Sequence, residues 1–385
     1  MKPRIIFIDL HCNDFYVRHI GRIIGRNHIK SYKHQFLLKY FHDNGYEVYN
    51  YITEEGSRLL SSRLRAFIKH RSYRYLENLF VQKVNGLPHI KVLTDKKKIR
   101  PDDIVVAYLV YGYQIDILNK CNCYKVLFGN HFISINSPLD LKKAGINAFV
   151  NEVDLSGNEF VSTYFNAKEA DNLITPYSFQ SRFVSKKAFS ERKNKAMAVG
   201  TSSTCAIVPD QYKLYRDFFK TELIQPMRQQ IYERQEELSN VIDCYISSIL
   251  ENHGRQSGYT SFDMVETFNN YRMFACPEEL VGMPGIGFVE GMACGCAYIG
   301  LNHDMYKGLG LRPGYHYIPY DGTLEDLRRV IRYYMQRQDE AQEIAKRGCE
   351  YVRENFNTSA IARSFETQLL ASYNKYKQAS QGERI

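Results

Sequence analysis

A glycine-rich turn ahead of a helical segment offers a place to bind a charged ligand. The turn is Pro284-Gly285-Ile286-Gly287, and the segment Gly287–Cys294 has a helical pattern. Because glycine has no side chain, backbone N–H groups can approach a ligand closely there. The positive N-terminal end of a helix favours a phosphate group at the same place. The pattern therefore predicts a phosphate site formed by the backbone of Gly285, Ile286, Gly287 and Phe288.

Glu290 lies about one turn into this helical segment. A carboxylate there is placed to accept hydrogen bonds from ribose hydroxyls while phosphates occupy the start of the helix. The alternative is an ordinary surface residue of the helix. Because G-I-G is not the G-x-G-x-x-G dinucleotide fingerprint, the spacing alone leaves both interpretations open.

Strand-like and helix-like segments alternate around this turn through the whole chain, which indicates parallel α/β sheets. Two units are predicted: residues 1–180 and residues 196–357, joined by a linker at 181–195 and followed by a crossover helix and tail at 358–385. The fold class is α/β, with two Rossmann-like domains facing a central cleft where ligands of such folds bind. The expected strands are Arg4–Leu10, Tyr46–Ile52, Asp103–Tyr111, Tyr124–Phe128, Asp171–Pro176, Ala196–Gly200, Tyr271–Pro277 and Ala297–Leu301. The expected helices are Ser31–Asn44, Ser57–Val84, Phe165–Ala170, Gln211–Leu250, Gly287–Cys294, Leu324–Gln338, Glu340–Asn355 and Thr358–Lys377.

The composition excludes several classes of protein. The 385 residues are 44% hydrophobic and 24% charged, which is ordinary for a globular chain and argues against whole-chain disorder. The nine cysteines include no C-x-x-C pair, so free thiols in a reducing compartment are expected. The first residues have too short an apolar run for a signal peptide, and no segment is apolar enough to span a membrane. A cytoplasmic location is expected.

The net charge of +9 is unevenly placed along the chain. The first 100 residues hold 20 Lys and Arg against 8 Asp and Glu, so the whole excess lies there. This asymmetry indicates either an anionic partner or an ordinary basic surface. Because the chain lacks an aromatic and basic nucleic-acid motif, no nucleic-acid partner is expected.

One stretch carries a resemblance to a known family. The residues from Gly287 to Gly300, G-F-V-E-G-M-A-C-G-C-A-Y-I-G, resemble the donor segment of the "group 1" glycosyltransferases with the GT-B fold. In that family a helix of the form E-A-M-A-C-G-x-P-V-I binds a nucleoside-diphosphate sugar. The strand Ala170–Ser178 and the strand Lys193–Thr201 are also similar to the family's pattern, as is the order of motifs from Gly314 to Phe356. The resemblance covers residues 165–372, and the single Glu also fits the CgeB-like branch.

The resemblance implies how the donor is held. GT-B enzymes generally work without a bound metal, so no metal and no cofactor are expected beyond the nucleotide sugar. Gly200 and Thr201, at the end of the first C-domain strand, are implied in donor binding. The family's basic residues follow that strand, but hydroxyl residues stand there in this chain. The candidates for the cation on the diphosphate are Arg192, Lys193, Lys195 and Lys213.

Three residues are candidates for the catalytic groups. The family often has a His after the strand that matches Tyr124–Phe128, and His131 stands there; its alternative is a structural role. Asp9 ends the first strand and would be the base if the enzyme inverts configuration; its alternative is to cap a turn. Many family members carry a second Glu eight residues before the donor-helix Glu, where this chain has Gly282, so Glu279 is a candidate for that role. The resemblance implies a retaining hexosyltransferase.

The basic segment Leu59–Phe80 combines an apolar stripe with Arg63, Arg65 and Arg71. It suits a helix that lies on an anionic membrane surface. It equally suits a helix that docks on the sheet with its arginines extended into solvent. The first interpretation would place the protein on the inner face of the cell membrane.

Together these features predict a glycosyltransferase that moves a sugar from a nucleotide donor to a glycan or lipid-linked acceptor. The resemblance further implies a role in bacterial surface polysaccharide synthesis. Two alternatives stay open: a nucleotide-sugar epimerase or hydrolase of the same fold, and a non-catalytic protein that binds membranes or polyanions.

Overall fold

A computed structural model describes residues 2–8, 35–53, 90–109, 112–129, 132–167, 169–207, 209–248 and 263–382. Within these residues the strands form two separate parallel sheets, one from each half of the chain. The sheets are covered by helices, which is the arrangement of a doubly wound α/β protein.

The N-terminal sheet has the strand order β3-β2-β1-β4-β5-β6-β7. Its central strands are continuous apolar runs buried on both faces, as parallel strands between helices must be. Their register pairs Ile5 with both Val48 and Ile104. The strands are β1 (Ile5–Ile8), β2 (Val48–Tyr51), β3 (Lys91–Leu93), β4 (Ile104–Tyr108), β5 (Tyr124–Phe128), β6 (Ala148–Asn151) and β7 (Asp171–Ile174).

The C-terminal sheet has the strand order β12-β11-β10-β8-β9. Its strands are β8 (Lys193–Ser202), β9 (Ile242–Ser248), β10 (Tyr271–Ala275), β11 (Ala297–Leu301) and β12 (Ile318–Tyr320). The chain order reverses between β8 and β10, so the connections from these two strands leave to opposite faces. Such a reversal opens a crevice at the carboxyl ends of the strands.

The helices begin and end at residues whose chemistry explains them. Thr323 caps α10 by accepting a hydrogen bond from the Asp326 N–H, and two acidic residues occupy the first turn. Gly45 follows α1 with a φ of 75°, which glycine adopts without strain. The described helices are α1 (Gln35–Asp43), α2 (Gly112–Leu118), α3 (Glu159–Tyr164), α4 (Lys213–Phe219), α5 (Pro226–Glu233), α6 (Gln235–Leu238), α7 (Met264–Asn270), α8 (Gly287–Ala293), α9 (Asp304–Gly308), α10 (Leu324–Gln336), α11 (Gln338–Asn355) and α12 (Thr358–Gly382).

The last helix, α12, returns to the N-terminal sheet. Its apolar residues, including Phe365 and Leu369, join the core formed by α1, β1 and β5. Glu366 accepts hydrogen bonds from the hydroxyls of Tyr40, at 2.6 Å, and Tyr46, at 2.5 Å. The structure therefore confirms the predicted crossover of the C-terminal helix to the N-terminal domain.

The chain passes between the two sheets at two places that lie side by side. The first is the segment between β7 and β8, and the second is the junction of α11 and α12. Nη2 of Arg353, near the end of α11, donates to the carbonyl of Phe183 at 3.1 Å and to that of Ala293 at 2.6 Å. The Arg353 side chain thus links the two connecting segments to each other and to α8 of the C-terminal domain.

Two expected helices were wrong. Phe165 forms an isolated bridge, and residues 166, 167, 169 and 170 form turns or irregular backbone rather than a helix. Within residues 211–248 the expected long helix is divided into α4, α5 and α6, and β9 follows. The first division falls at Lys220, which has a left-handed φ of 56°, and the next helix starts at Pro226, which suits a first helical turn.

The basic segment Leu59–Phe80, with Arg63, Arg65 and Arg71, lies outside the described residues. Membrane contact by that segment stays a prediction. Of the helices in the described part of the chain, none combines the length and the apolar character that crossing a membrane requires.

Candidate functional site

The crevice between β8 and β10 gathers several residues from the sequence-based site. Gly200 and Thr201 lie near the end of β8, and Cys276 and Pro277 directly follow β10. Gly200 has a φ of 135°, a conformation that side-chain-bearing residues rarely adopt. Glycine therefore permits a change of direction where β8 separates from β10, while β8 stays paired with β9 as far as Ser202.

Arg228, on α5, lies at the centre of this crevice. Its Nε donates to the Pro277 carbonyl at 2.6 Å, and its Nη1 donates to the Thr201 carbonyl at 3.1 Å. The side chain is buried, with a relative exposure of 6%. The guanidinium group therefore bridges the ends of both strands at the point where the chain order reverses.

The charged residues Arg228, Glu233 and Arg234 favour a solvated helix face by their sequence pattern, but Arg228 is buried. The charge pattern of α5 does not show which face is buried. The burial of Arg228 could have been inferred from two apolar residues of the same helix, Met227 and Ile231, which also face the core.

Gly200 and Gly285 both make room for the Arg228 side chain. A Cβ built on Gly285 would be 3.1 Å from Nη2 of Arg228, and one on Gly200 would be 2.9 Å from its Cδ. A Cβ on Gly287 would be 3.1 Å from Sγ of Cys276. The predicted glycine-rich turn and the end of β8 therefore pack around one cation.

The helix α8 starts at Gly287 as predicted, directly behind this turn. Phe288, which was predicted to offer its backbone N–H, donates that group to the Gly285 carbonyl at 3.2 Å. Its ring is buried and contacts Tyr298, Tyr306 and Phe356. Phe288 is therefore a core residue of α8. The predicted phosphate contact by backbone N–H groups stays a prediction for the turn residues Gly285 and Ile286.

Glu290 is mostly buried on α8, and its side chain accepts no hydrogen bond from the described residues. Burial raises the pKa of the Glu290 carboxyl to about 7, although the positive charge of Arg182 opposes the shift. This carboxyl can therefore change its charge near neutral pH. Ribose contact at Glu290 stays a prediction.

Glu278 lies beside the crevice, and its carboxylate accepts hydrogen bonds from several neighbouring groups. Its Oε1 accepts hydrogen bonds from the Tyr298 hydroxyl at 3.1 Å, the Leu301 N–H at 3.0 Å and the Tyr306 hydroxyl. Its Oε2 lies 3.5 Å from the Tyr320 hydroxyl. Burial raises the pKa of Glu278, and these hydrogen bonds oppose the shift. This carboxylate holds the ends of β10, β11 and β12 together.

Glu279, the candidate for the missing second Glu, belongs to a tight turn before the glycine-rich segment. Its N–H donates to the Met283 carbonyl at 2.9 Å, and its carbonyl accepts from the Gly282 N–H at 2.7 Å. The carboxylate is partly exposed and lies 3.4 Å from Nε2 of Gln225. A cavity of about 230 Å³ is lined by both Glu278 and Glu279. A catalytic role for Glu279 stays a prediction.

Three of the four cations proposed from the sequence are bound away from the crevice. Lys193 is the first residue of β8, so it is about 23 Å from Gly200 at the usual rise per residue. Lys195 is bound near the same end by Asp243. Arg192 is buried among the carbonyls of Lys187 and Cys294, and Lys213 is exposed at the start of α4. Arg228 is the arginine that lies at the ends of β8 and β10, while a role for Lys213 stays a prediction.

Two of the candidate catalytic residues, Asp9 and His131, lie outside the described residues, so their roles stay predictions. Among the residues that the structure describes, no group of three or more His, Cys, Asp or Glu side chains is arranged to hold a metal ion.

Comparison with solved structures identifies the fold. The chain is similar to HepE from Anabaena in complex with UDP, with a TM-score of 0.52 and 13% identity over 96% of this chain and 100% of that one. It is also similar to sucrose-phosphate synthase from Thermosynechococcus elongatus, with a TM-score of 0.50 and 12% identity over 98% of this chain and 100% of that one. These likenesses confirm the GT-B fold predicted from the sequence.

Comparison with protein families adds a match in the C-terminal part. Residues 292–383 match the model of glycosyl transferase family 90. No curated protein shows a significant sequence match to the chain. The family match and the fold confirm the resemblance to GT-B glycosyltransferases as a class, and both support a glycosyltransferase activity. The CgeB-like branch stays a prediction.

Proposed function

We propose that this protein transfers a sugar from a nucleoside-diphosphate sugar to a glycan or lipid-linked acceptor. The observation that carries the proposal is the position of Arg228 at the strand reversal, packed against Gly200 and Gly285. A cation packed between two glycines suits a diphosphate, because its positive charge lies close to the backbone on which the phosphates would rest.

We expect Arg228 to contribute most when the bond between the sugar and the diphosphate breaks. In the transfer, the bond between the anomeric carbon and the diphosphate oxygen breaks, and the acceptor oxygen forms a bond to that carbon. The acceptor hydroxyl loses a proton, and the diphosphate leaves with additional negative charge. A cation fixed beside the leaving oxygen stabilises this charge in the transition state. Because α8 has only seven residues, its dipole is short, and we assign the larger share to Arg228.

Glu290 is the proposed contact for the ribose. It lies one turn beyond the glycine-rich turn, on the same helix, and its carboxylate accepts no hydrogen bond from the described residues. An ionised carboxylate can accept bonds from two adjacent hydroxyl groups. The solved structure of HepE contains UDP, so uridine nucleotides are the first donors to test.

Further parts of the proposal come from the resemblance to group 1 glycosyltransferases. They are a retaining outcome with His131 near the reacting sugar, independence of metal, and a role in bacterial surface polysaccharide assembly at the inner face of the membrane. If the anomeric configuration inverts instead, Asp9 is the proposed base. Activity in the presence of EDTA tests the metal question directly, and the anomeric configuration of the product decides between the two outcomes.

The experiment that tests the proposed function is a thermal-shift panel of UDP, GDP, ADP, CMP and their sugar derivatives. At least one nucleotide is expected to raise the melting temperature, and Gly285→Ala should reduce this shift because its Cβ crowds Arg228. The matched control is Gly157→Ala, a glycine with open space around it. A wild-type protein without any shift would contradict the proposal and favour the non-catalytic alternative.

Incubation with a labelled nucleotide sugar then separates transfer from the chemistry of the alternative enzymes. Transfer predicts a labelled product only when an acceptor is present. A free epimer in the absence of acceptor would identify an epimerase of this fold, and stoichiometric free sugar without any transfer product would identify a hydrolase.

A further inference from the structure

Two adjacent residues of the N-terminal domain have buried polar atoms without partners. Asn151 ends β6 and Glu152 follows it, with relative exposures of 1% and 2%. Within the described part of the chain, neither side-chain amide atom of Asn151 has a hydrogen-bond partner, and the same holds for Oε2 of Glu152. Three polar atoms are thus buried together at one strand end.

Such an arrangement costs folding free energy. A buried polar group without a hydrogen bond costs about 1–3 kcal/mol, and native proteins contain few of them. Glu278, which is also buried, has several donors, but single buried polar atoms without a partner also occur in the described residues, at Oδ1 of Asn194 and Nε of Arg328. The pair at the end of β6 differs from these because it brings three such atoms to one place, and we take this clustering to indicate a ligand.

The surroundings of the pair indicate where that ligand lies. Asn151 and Glu152 are at the carboxyl end of a parallel sheet, the edge at which doubly wound folds bind their ligands. Gly129 follows the neighbouring strand β5, and a Cβ there would be only 2.2 Å from Oδ1 of Asn151. Because glycine has no Cβ, position 129 leaves room for the Asn151 amide at the sheet edge.

The chain continues from this pair into the contact with the C-terminal domain. Asp154 and Phe160 line a cavity of about 420 Å³ together with Phe219 of the other domain. Nδ2 of Asn158 donates to the Val281 carbonyl at 2.9 Å across the domain contact. The pair therefore lies just before Asp154, at the start of a segment that lines this cavity and reaches the C-terminal domain.

We propose that Asn151 and Glu152 bind hydroxyl groups of the acceptor saccharide. Sugar hydroxyls both donate and accept hydrogen bonds, so they match an amide and a carboxylate placed side by side. The negative charge of an ionised Glu152 disfavours a phosphate or an anionic sugar at this position. The proposal rests on the proposed transferase function, whose donor groups Arg228, Gly285 and Glu290 belong to the other domain.

The first test measures the stability of the free protein. Glu152→Gln removes the carboxylate but keeps its shape, and the matched control is Glu169→Gln on the exposed surface of the same domain. Because the Oε2 atom makes no hydrogen bond, the melting temperature of Glu152→Gln should equal or exceed that of the control. A melting temperature well below that of the control would assign Glu152 a structural role and overturn the proposal.

The second test measures saccharide binding by saturation-transfer NMR, with and without UDP. The probes are glucose, galactose, mannose and N-acetylglucosamine as methyl glycosides. At least one should bind the wild type, and Glu152→Gln and Asn151→Ala should each weaken that binding about 10-fold or more, as expected for lost hydrogen bonds to a charged or buried group. Sugar affinity that is unchanged in both variants, or no binding of any probe to the wild type, overturns the proposal.

The nucleotide panel separates this proposal from the function on which it rests. The nucleotide-induced rise in melting temperature should be the same in the wild type, Glu152→Gln and Asn151→Ala. A nucleotide shift in the wild type with unchanged sugar binding in both variants rejects the acceptor site alone, whereas the absence of any nucleotide shift rejects the transferase function.

Discussion

Nη2 of Arg228 lies so close to Gly285 that a Cβ on residue 285 would be 3.1 Å away from it. The two residues come from different helices and turns, yet they form one surface at the reversal of the strand order. The same arginine is held by the carbonyls of Pro277 and Thr201, so its orientation is fixed before any ligand arrives. Such preorganisation favours binding of an anion.

We expect Arg228→Met to weaken the binding of a nucleoside diphosphate by roughly 10-fold to 100-fold. Loss of charge-assisted hydrogen bonds to phosphate accounts for this magnitude. Isothermal titration gives the dissociation constant, and circular dichroism shows whether the variant is folded. Arg234→Met is the matched control, because Arg234 is partly exposed at the end of the same helix and paired with Glu237. Equal affinities of the wild type and Arg228→Met would remove Arg228 from the site.

The stability of the protein should depend on pH through Glu290. Its folded-state pKa of about 7 is raised above the ordinary value of 4.5, so the folded state holds the proton more tightly than the unfolded chain does. This contribution to stability is fully present below pH 4.5, and it is lost as the pH rises through 7. Compared with Glu290→Gln, the wild type should therefore lose melting temperature between these two pH values.

Melting curves of both proteins at pH intervals of half a unit measure this difference. The difference, rather than either curve alone, isolates Glu290 from the other titrating groups. Parallel curves over the whole range would show that the carboxyl titrates alike in the folded and unfolded states.

Removal of the Glu278 carboxylate should destabilise the C-terminal domain. Glu278→Ala leaves the hydroxyls of Tyr298 and Tyr306 and the Leu301 N–H without their acceptor, so a loss of about 2–5 kcal/mol in the free energy of unfolding is expected. Urea denaturation measures this loss. The conservative Glu278→Gln keeps one acceptor oxygen and should lose less, while Glu237→Ala on the surface should change little. An equal effect of Glu278→Ala and Glu237→Ala would show that the buried bonds add nothing.

Gly291→Ala should destabilise the protein by about 1–3 kcal/mol because of overpacking. A Cβ on this residue of α8 would be 2.4 Å from Cζ of Phe274, which is buried beneath the helix. The control Gly157→Ala meets no atom within 4 Å and should be nearly neutral. Chemical denaturation of the two variants compares them directly, and a neutral Gly291→Ala would mean that Phe274 moves aside without cost.

The sequence was informative wherever apolar runs stand between clear stop signals. The strand Tyr124–Phe128 and the strand Ala297–Leu301 have the predicted bounds, because each is a short apolar run that ends at a polar or glycine-containing turn. The bounds of the helices within residues 211–248 could not be predicted from such signals. Its break at Lys220 depends on a left-handed conformation of a residue type that gives no warning of it.

The candidate site was predicted in part. The glycine-rich turn and Glu290 could be found because glycine and helix signals are local. Arg228 could not, since it lies 57 positions before Gly285 and reaches the site only when α5 packs on the sheet. Asn151 and Glu152 look like ordinary polar residues after a strand, and only the burial of the folded chain sets them apart.

Arg353 binds the Phe183 carbonyl next to the place where the chain crosses to α12. Two bodies joined by two neighbouring chain crossings can rotate about the line through those crossings, but they cannot drift apart or slide. We therefore expect any relative motion of the domains to be a rotation about an axis near Arg353, with its largest displacement at the far rim of the cleft and with loss of contacts such as that of Asn158 with the Val281 carbonyl. Small changes at Arg353 would therefore be magnified where donor and acceptor meet.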